Sequence, residues 1–296
     1  MNNECLASIL PRALSGVALR RRVFSCCADM SLFHFTVFVA AVFAAACTVQ
    51  PQTPSTAKQN YPSVIRDATD RRAKAEREWR RMLDIYKVPQ TPPDLYPIIY
   101  TPRSLLGISG GIKLLTQADP GTERLRLREA MKGFLDRWRE LIGTDPAAVS
   151  LVNADESGAL HRFTYRQSNY GFPIAGIYGE MSAVVSKDGR LMQLDDRFIP
   201  LVEMPAKPQI DLAAAKQKVV GRTFTYSDLA GREQKLQISS ADEITVKKLV
   251  VLPVEKGDTI EVRLAWEVVA GSSLAWTVYI DAMSGEELRV VQNFNT

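Results

Sequence analysis

Two stretches of this 296-residue chain decide its fold: Tyr165-Arg-Gln-Ser-Asn-Tyr-Gly-Phe-Pro-Ile-Ala-Gly176 and Leu274-Ala-Trp-Thr-Val-Tyr-Ile-Asp-Ala-Met-Ser-Gly-Glu286. In the first, Gly171 and Gly176 let the backbone turn and pack closely around Phe172, Pro173 and Ile174, because glycine reaches positive φ at no steric cost. Pro173 has no amide to donate, which suits a strand edge or a bulge. The local role of these residues reads as hairpin shaping. In the second stretch, Asp281 can accept from backbone amides across a turn, and Gly285 can take the left-handed position. Asp281 therefore reads as a turn former rather than an acid catalyst. Trp276, and Trp266 of the upstream Leu264-Ala-Trp266, read as core.

Around these stretches the hydrophobic period is two. Leu160 to Tyr165, Tyr178 to Ser186 and Arg190 to Leu194 alternate as half-buried strands do. Lys187-Asp-Gly-Arg190 joins the last two as a hairpin turn, with Gly189 free to take positive φ. Further strands are expected at 246–253, 259–269, 274–280 and 287–292, and Glu255-Lys-Gly-Asp258 turns the first pair. Each set is preceded by a helical pattern. Over 122–142, Leu127, Met131, Phe134, Leu135, Trp138 and Ile142 share one stripe, and Gly143 sits where a left-handed cap belongs. Asp211 stands as N-cap to a helix over Leu212 to Val220. There is no alternation of long strands and helices as in a parallel sheet. The expected class is α+β: two successive helix-on-antiparallel-sheet modules, over 98–205 and 206–296.

Upstream, Ile65, Ala68, Ala75, Trp79, Met82 and Tyr86 recur at helical steps, so 63–87 reads as a helix with a narrow face. That face suits docking on the following module or on a partner. Pro89 to Pro97 breaks the pattern as a linker or wrapping arm, closing a segment over 63–97. Residues 48–62, rich in Pro, Thr, Gln and Ser, read as a tether.

In order and spacing the chain resembles the propeptide of thermolysin-like metalloproteases, a fungalysin/thermolysin propeptide (FTP) module followed by a PepSY module. The FTP resemblance runs from about 100 to 203. It rests on Thr101-Pro-Arg-Ser-Leu-Leu-Gly-Ile108, the amphipathic helix, Leu141-Ile-Gly-Thr144 and the stretch from Tyr165 to Gly176, with Gln167, Gly171, Pro173 and Gly176 as signature positions. The PepSY resemblance runs from about 211 to 292 and rests on Trp266, Trp276, Asp281 and Gly285. Each module alone is common in envelope proteins; the tandem in this order is more specific. The resemblance implies a module pair that helps a zinc protease to fold and holds it inactive. It also implies that the tail, Asn293, Phe294, Asn295 and Thr296, leads toward a protease cleft. A frayed tail is the alternative.

The protease itself is not expected. Its zinc helix would need His-Glu-x-x-His, and the only histidines, His34 and His161, lie in unrelated segments. No Gly-x-Ser-x-Gly elbow is present. Gly107-Ile-Ser-Gly-Gly-Ile112 lacks the Lys-Ser/Thr ending of a phosphate loop. The arginines of 122–142 alternate with acids, as on a solvated face rather than an anion site. No catalytic residue, metal or cofactor is expected.

The N-terminal 47 residues read as a targeting signal. Arg20 to Arg22 precede an apolar run from Leu32 to Ala46, which is shorter than the roughly 20 residues of a spanning helix. The run ends Ala44-Ala45-Ala46-Cys47 and resembles a bacterial lipobox, which implies lipidation at Cys47. Ala44 sits where Leu is commoner, and Met30 is a second possible start. Simple secretion and an uncleaved anchor remain open. Cys5, Cys26, Cys27 and Cys47 are the only cysteines, so residues 48–296 can form neither a disulfide nor a thiolate zinc site. Thr48 after the cysteine implies an outer-membrane destination by the family rule. A net charge of +4 without a clustered basic face gives no reason to expect nucleic acid. The expected function is an envelope-anchored, propeptide-like partner of a separately encoded thermolysin-like protease. The alternative is a non-inhibitory envelope lipoprotein that binds protein or cell wall through the same fold.

Overall fold

The computed structural model describes residues 60–115, 123–271 and 275–294. The expected signal, the lipidation residue Cys47, most of the tether, and Asn295 and Thr296 lie outside the described residues.

The architecture is α+β, with few helices and many antiparallel strands. In chain order the elements are β1 (Ser63–Arg66), α1 (Thr69–Tyr86), β2 (Asp94–Leu95), β3 (Pro102–Ser104), β4 (Ile112–Lys113), α2 (Glu123–Arg137) and α3 (Arg139–Ile142). Then follow β5 (Val149–Ser157), β6 (Leu160–Gln167), β7 (Glu180–Ser186), β8 (Arg190–Asp196) and α4 (Leu212–Gln217). The chain closes with β9 (Thr223–Ser227), β10 (Glu233–Gln237), β11 (Ile244–Lys256), β12 (Thr259–Ala270), β13 (Trp276–Asp281) and β14 (Glu287–Gln292).

In the first module α2 lies on a five-stranded sheet of order β4-β8-β7-β6-β5. Leu127, Met131, Phe134 and Leu135 form its buried stripe and meet Phe163, Met181, Ala183 and Leu194 in one core. The helix breaks at Trp138, whose φ of −109° and ψ of 24° leave the helical region, and it resumes as α3. Gly143 then caps α3 at φ 75°, with its amide on the Arg139 carbonyl, as its position implies. The edge strand β5 was not expected. Its sequence Val-Ser-Leu-Val-Asn-Ala-Asp-Glu-Ser is mostly polar, because only Val149, Leu151 and Ala154 turn toward the core.

In the second module β12 is central: β11 runs along one side, and β13 and β1 share the other, with β14 beyond β13. The Asp211 side chain accepts from the Ala214 amide, 2.7 Å away, and caps α4. The hairpin β9–β10, absent from the expected strands, folds over the same core through Phe224, Tyr226 and Leu236.

The N-terminal segment corrects the expected helix over 63–87. Residues Ser63–Arg66 are a strand paired with β12, Ser63 opposite Val262 and Ile65 opposite Ile260, and the helix begins at Thr69. Ile65 fits both periods. Its side chain goes into the sheet core at 3% exposure, and Ala68 stays extended at φ −139°. From Thr69 onward Ala75, Trp79, Met82 and Leu83 enter the core of the first module. The segment therefore docks on the chain itself, its strand on one module and its helix on the other.

Candidate functional site

The signature stretch Tyr165 to Gly176 crosses between the modules. The Val251 amide of β11 donates to the Pro173 carbonyl at 2.9 Å, and the Ala175 amide donates to the Val251 carbonyl at 2.8 Å. Ile174 thus joins the free edge of β11 as a parallel bridge. Pro173 needs no amide there, because only its carbonyl faces the partner. Ile174 enters a small core with Ile65, Ile98, Ile99, Val251 and Val262, residues drawn from the N-terminal segment and the second module. Gly176, at φ 83°, admits the Arg289 guanidinium: a Cβ would lie 3.3 Å from its Nη1. Gly171 lies at φ 72°, with nothing near an added Cβ. The reading of this stretch as hairpin shaping alone is thus too local.

Gln167 holds the base of the joint. It is 1% exposed, its Nε2 donates to the Ile199 carbonyl at 2.7 Å, and its Oε1 accepts from the Ile199 amide at 3.1 Å. Tyr170 adds a 2.6 Å bond to the Pro200 carbonyl. Gly179, at φ 73°, lets Ile174 seat: a Cβ there would stand 2.6 Å from Ile174 Cδ1 and 2.7 Å from its Cβ. Gly179→Ala is expected to lower unfolding free energy by about 1–3 kcal/mol, through overlap and left-handed strain, as read by urea denaturation.

Asp281 anchors the second module. Its Oδ1 accepts from the amides of Met283 at 2.8 Å and Ser284 at 2.9 Å, and the Gly285 amide closes onto the Asp281 carbonyl at 2.8 Å. Its Oδ2 meets Arg263 Nη1 at 2.8 Å and the Tyr61 hydroxyl at 3.0 Å. A carboxylate offers about four acceptor directions, and all four are taken. Asp281 is fully buried and structurally committed, which leaves no lone pair to take a substrate proton. Arg263 also binds Glu261 at 2.7 Å and Glu286 at 3.3 Å. Tyr61 accepts from the Leu264 amide at 3.0 Å, so the first described residues are pinned to the middle of the sheet. Desolvation, reinforced by Asp281, raises the Tyr61 phenol well above its ordinary pKa. The sequence gave no local sign of this network, since its members are far apart along the chain.

Trp276 stacks on Phe224, with centroids 5.0 Å apart and planes 12° from parallel, and Trp266 donates Nε1 to the Ile210 carbonyl at 2.7 Å. Of the tail, the Asn293 amide bonds to the Ala275 carbonyl and its side chain to Thr277. Phe294 sits edge-on to both Trp276 and Tyr226.

Two titratable features lie in the first module. His161 is buried, its Nε2 2.7 Å from Glu123 Oε1, and Glu156 is its cross-strand partner. Lys187 Nζ, 3.4 Å from Glu156, brings opposing charge to that group. Asp196 is fully buried; its Oδ1 accepts from the Phe198 amide and its Oδ2 has no partner. Burial, aided by Asp195, pushes its carboxyl well above the usual carboxylate range, although the Phe198 amide opposes this. An acid raised on folding favours the folded state below the unfolded carboxyl value, about 3.9, and loses that contribution as pH rises through the folded value. Asp196→Asn is therefore expected to be more stable than the parent at neutral pH. The gap should close as pH falls toward about 4, as read by denaturation at stepped pH.

No family model matches the chain, and no curated protein matches it. Among solved structures, the Bacillus megaterium YpeB C-terminal domain matches with a TM-score of 0.33 and 14% identity, covering 78% of this chain and 100% of that one.

Proposed function

We propose that this chain is an envelope-anchored, propeptide-like binding protein, an FTP-like module followed by a PepSY-like one. In this reading it is held by lipid at Cys47 at the outer membrane, facing the periplasm. It engages a separately encoded thermolysin-like zinc protease, which it inhibits or helps to fold. It is not an enzyme.

The observation that carries the reading is the joint. Backbone bonds from Pro173 and Ala175 to Val251, with the shared core around Ile174, hold the two modules together before any partner arrives. A surface that spans both modules is then preorganised, which spares the ordering cost of association. The test is capture from an envelope fraction by the full chain in detergent, followed by titration of captured protease activity. Capture of a zinc protease whose activity or refolding yield changes on titration supports the proposal. Capture of non-protease envelope proteins alone, with no effect on thermolysin-like activity, overturns it.

One observation favours the alternative of a non-inhibitory envelope module. Phe294, the aromatic residue of the tail, is seated on Trp276 and Tyr226 of its own module rather than presented outward. Under that reading the same joined body binds an envelope protein or cell-wall component.

A further inference from the structure

Between α2 and the outer edge of β5 lies a cavity of about 590 Å³, remote in sequence from the residues of the joint. Its apolar lining includes Leu135 from α2, Val149 and Leu151 from β5, and Tyr165 from β6. Arg128, Lys132, Glu129 and Asp136 stand along its helical side. Glu123 and Glu140, toward the ends of this helical stretch, pair with His161 and Lys74, whereas the four between them form no ion pair among the described residues. A volume of this size lies within the range of a specific ligand cleft.

Two further observations point to what fills it. Tyr165 is 6% exposed and lines the cavity, yet its hydroxyl has no hydrogen-bond partner among the described residues. Burial, tempered by Arg128, pushes this phenol up to about 12, with no hydrogen bond contributing. It is therefore a neutral donor awaiting an acceptor. The second observation is the strand beside it. Among the described residues no strand pairs with the outer side of β5, the last strand of its sheet. Such an edge presents unpaired amides and carbonyls, a template for an added strand.

We propose that this groove binds an extended peptide segment of a partner protein, laid along the start of β5. The segment's backbone pairs with the edge over Val149 to Leu151, before the register shift between Leu151 and Asn153 interrupts regular pairing. One apolar side chain enters over Leu135 and Leu151, and a carbonyl accepts from Tyr165. Residues of both signs in the segment face Arg128 and Lys132 on one hand, and Glu129 and Asp136 on the other. The mixed, unpaired charges favour a polypeptide carrying both signs over a simple anion. The proposal does not depend on the partner being a protease.

The test is selection of random dodecapeptides on the full chain in detergent, with the affinity of enriched peptides measured by fluorescence polarisation. Enriched peptides should share alternating apolar positions. Tyr165→Phe removes only the unpartnered hydroxyl, so it should weaken their binding by about five- to tenfold with the thermal midpoint unchanged or raised. Leu151→Glu should abolish binding, with circular dichroism confirming the fold. Three results overturn the proposal: no enrichment over bare support, peptides that bind Tyr165→Phe as tightly as the parent, or self-association of the chain through β5 in place of peptide binding.

Discussion

Asp281→Ala is expected to destabilise the folded chain by about 3–5 kcal/mol, measured by urea denaturation, because it leaves the buried Arg263 without its deepest partner. Arg263 would keep Glu261 and Glu286, but Glu286 is largely exposed and contributes little. The same change removes the acceptor for the Met283 and Ser284 amides and for the Tyr61 hydroxyl. Asp281→Asn separates the two effects. The asparagine carbonyl can still accept the turn amides, while its amide group faces Arg263 as a second donor. A loss for Asp281→Asn close to that for Asp281→Ala would assign the stability to the ion pair; a much smaller loss would assign it to the turn.

Trp79→Ala should cost about 3–5 kcal/mol, the usual range for emptying a buried aromatic site. Trp79 is fully buried in the core that also holds Met131 and Trp138, and its Nε1 donates to the Thr91 carbonyl at 2.8 Å. Losing it opens a cavity under α1 and strands the Thr91 carbonyl, which fixes the Pro-rich stretch against the helix. Calorimetry distinguishes this from a loosely attached helix. In the integral case the main transition moves to lower temperature; in the loose case it stays in place.

The sequence made the α+β class legible because its periods are clean. The 3.6-residue stripe from Leu127 to Ile142, the alternation of β6 to β8 and the turns at Gly189 and Gly257 each depend on near neighbours. The strands that escaped notice are those whose partners decide them. β5 is polar because one side faces solvent, and Ser63 to Arg66 becomes a strand only because β12 lies beside it. Helix and strand both suit Ile65, and pairing with Ile260, distant in sequence, settles the choice.

The site shows the same division. Asp281 and Gly285 form a turn, and that could be read from four residues. The function of Pro173 and Ile174 as a bridge to Val251 could not, since nothing near them in sequence names that partner. Tyr61 and Arg263 carried no local signal either. Their importance comes from burial around Asp281, a property of the folded sheet.

Hydrogen exchange on the full chain tests the joint most directly. If the modules unfold as one body, the slowest amides of β7 and of β12 and β13 share a single opening free energy and respond alike to added urea. The Val251 and Ala175 amides, which make the bridge, should then be protected to a similar degree. Two distinct opening free energies, one for each sheet, with early exchange at Val251 and Ala175, would contradict a joined, preorganised body and the binding role built on it.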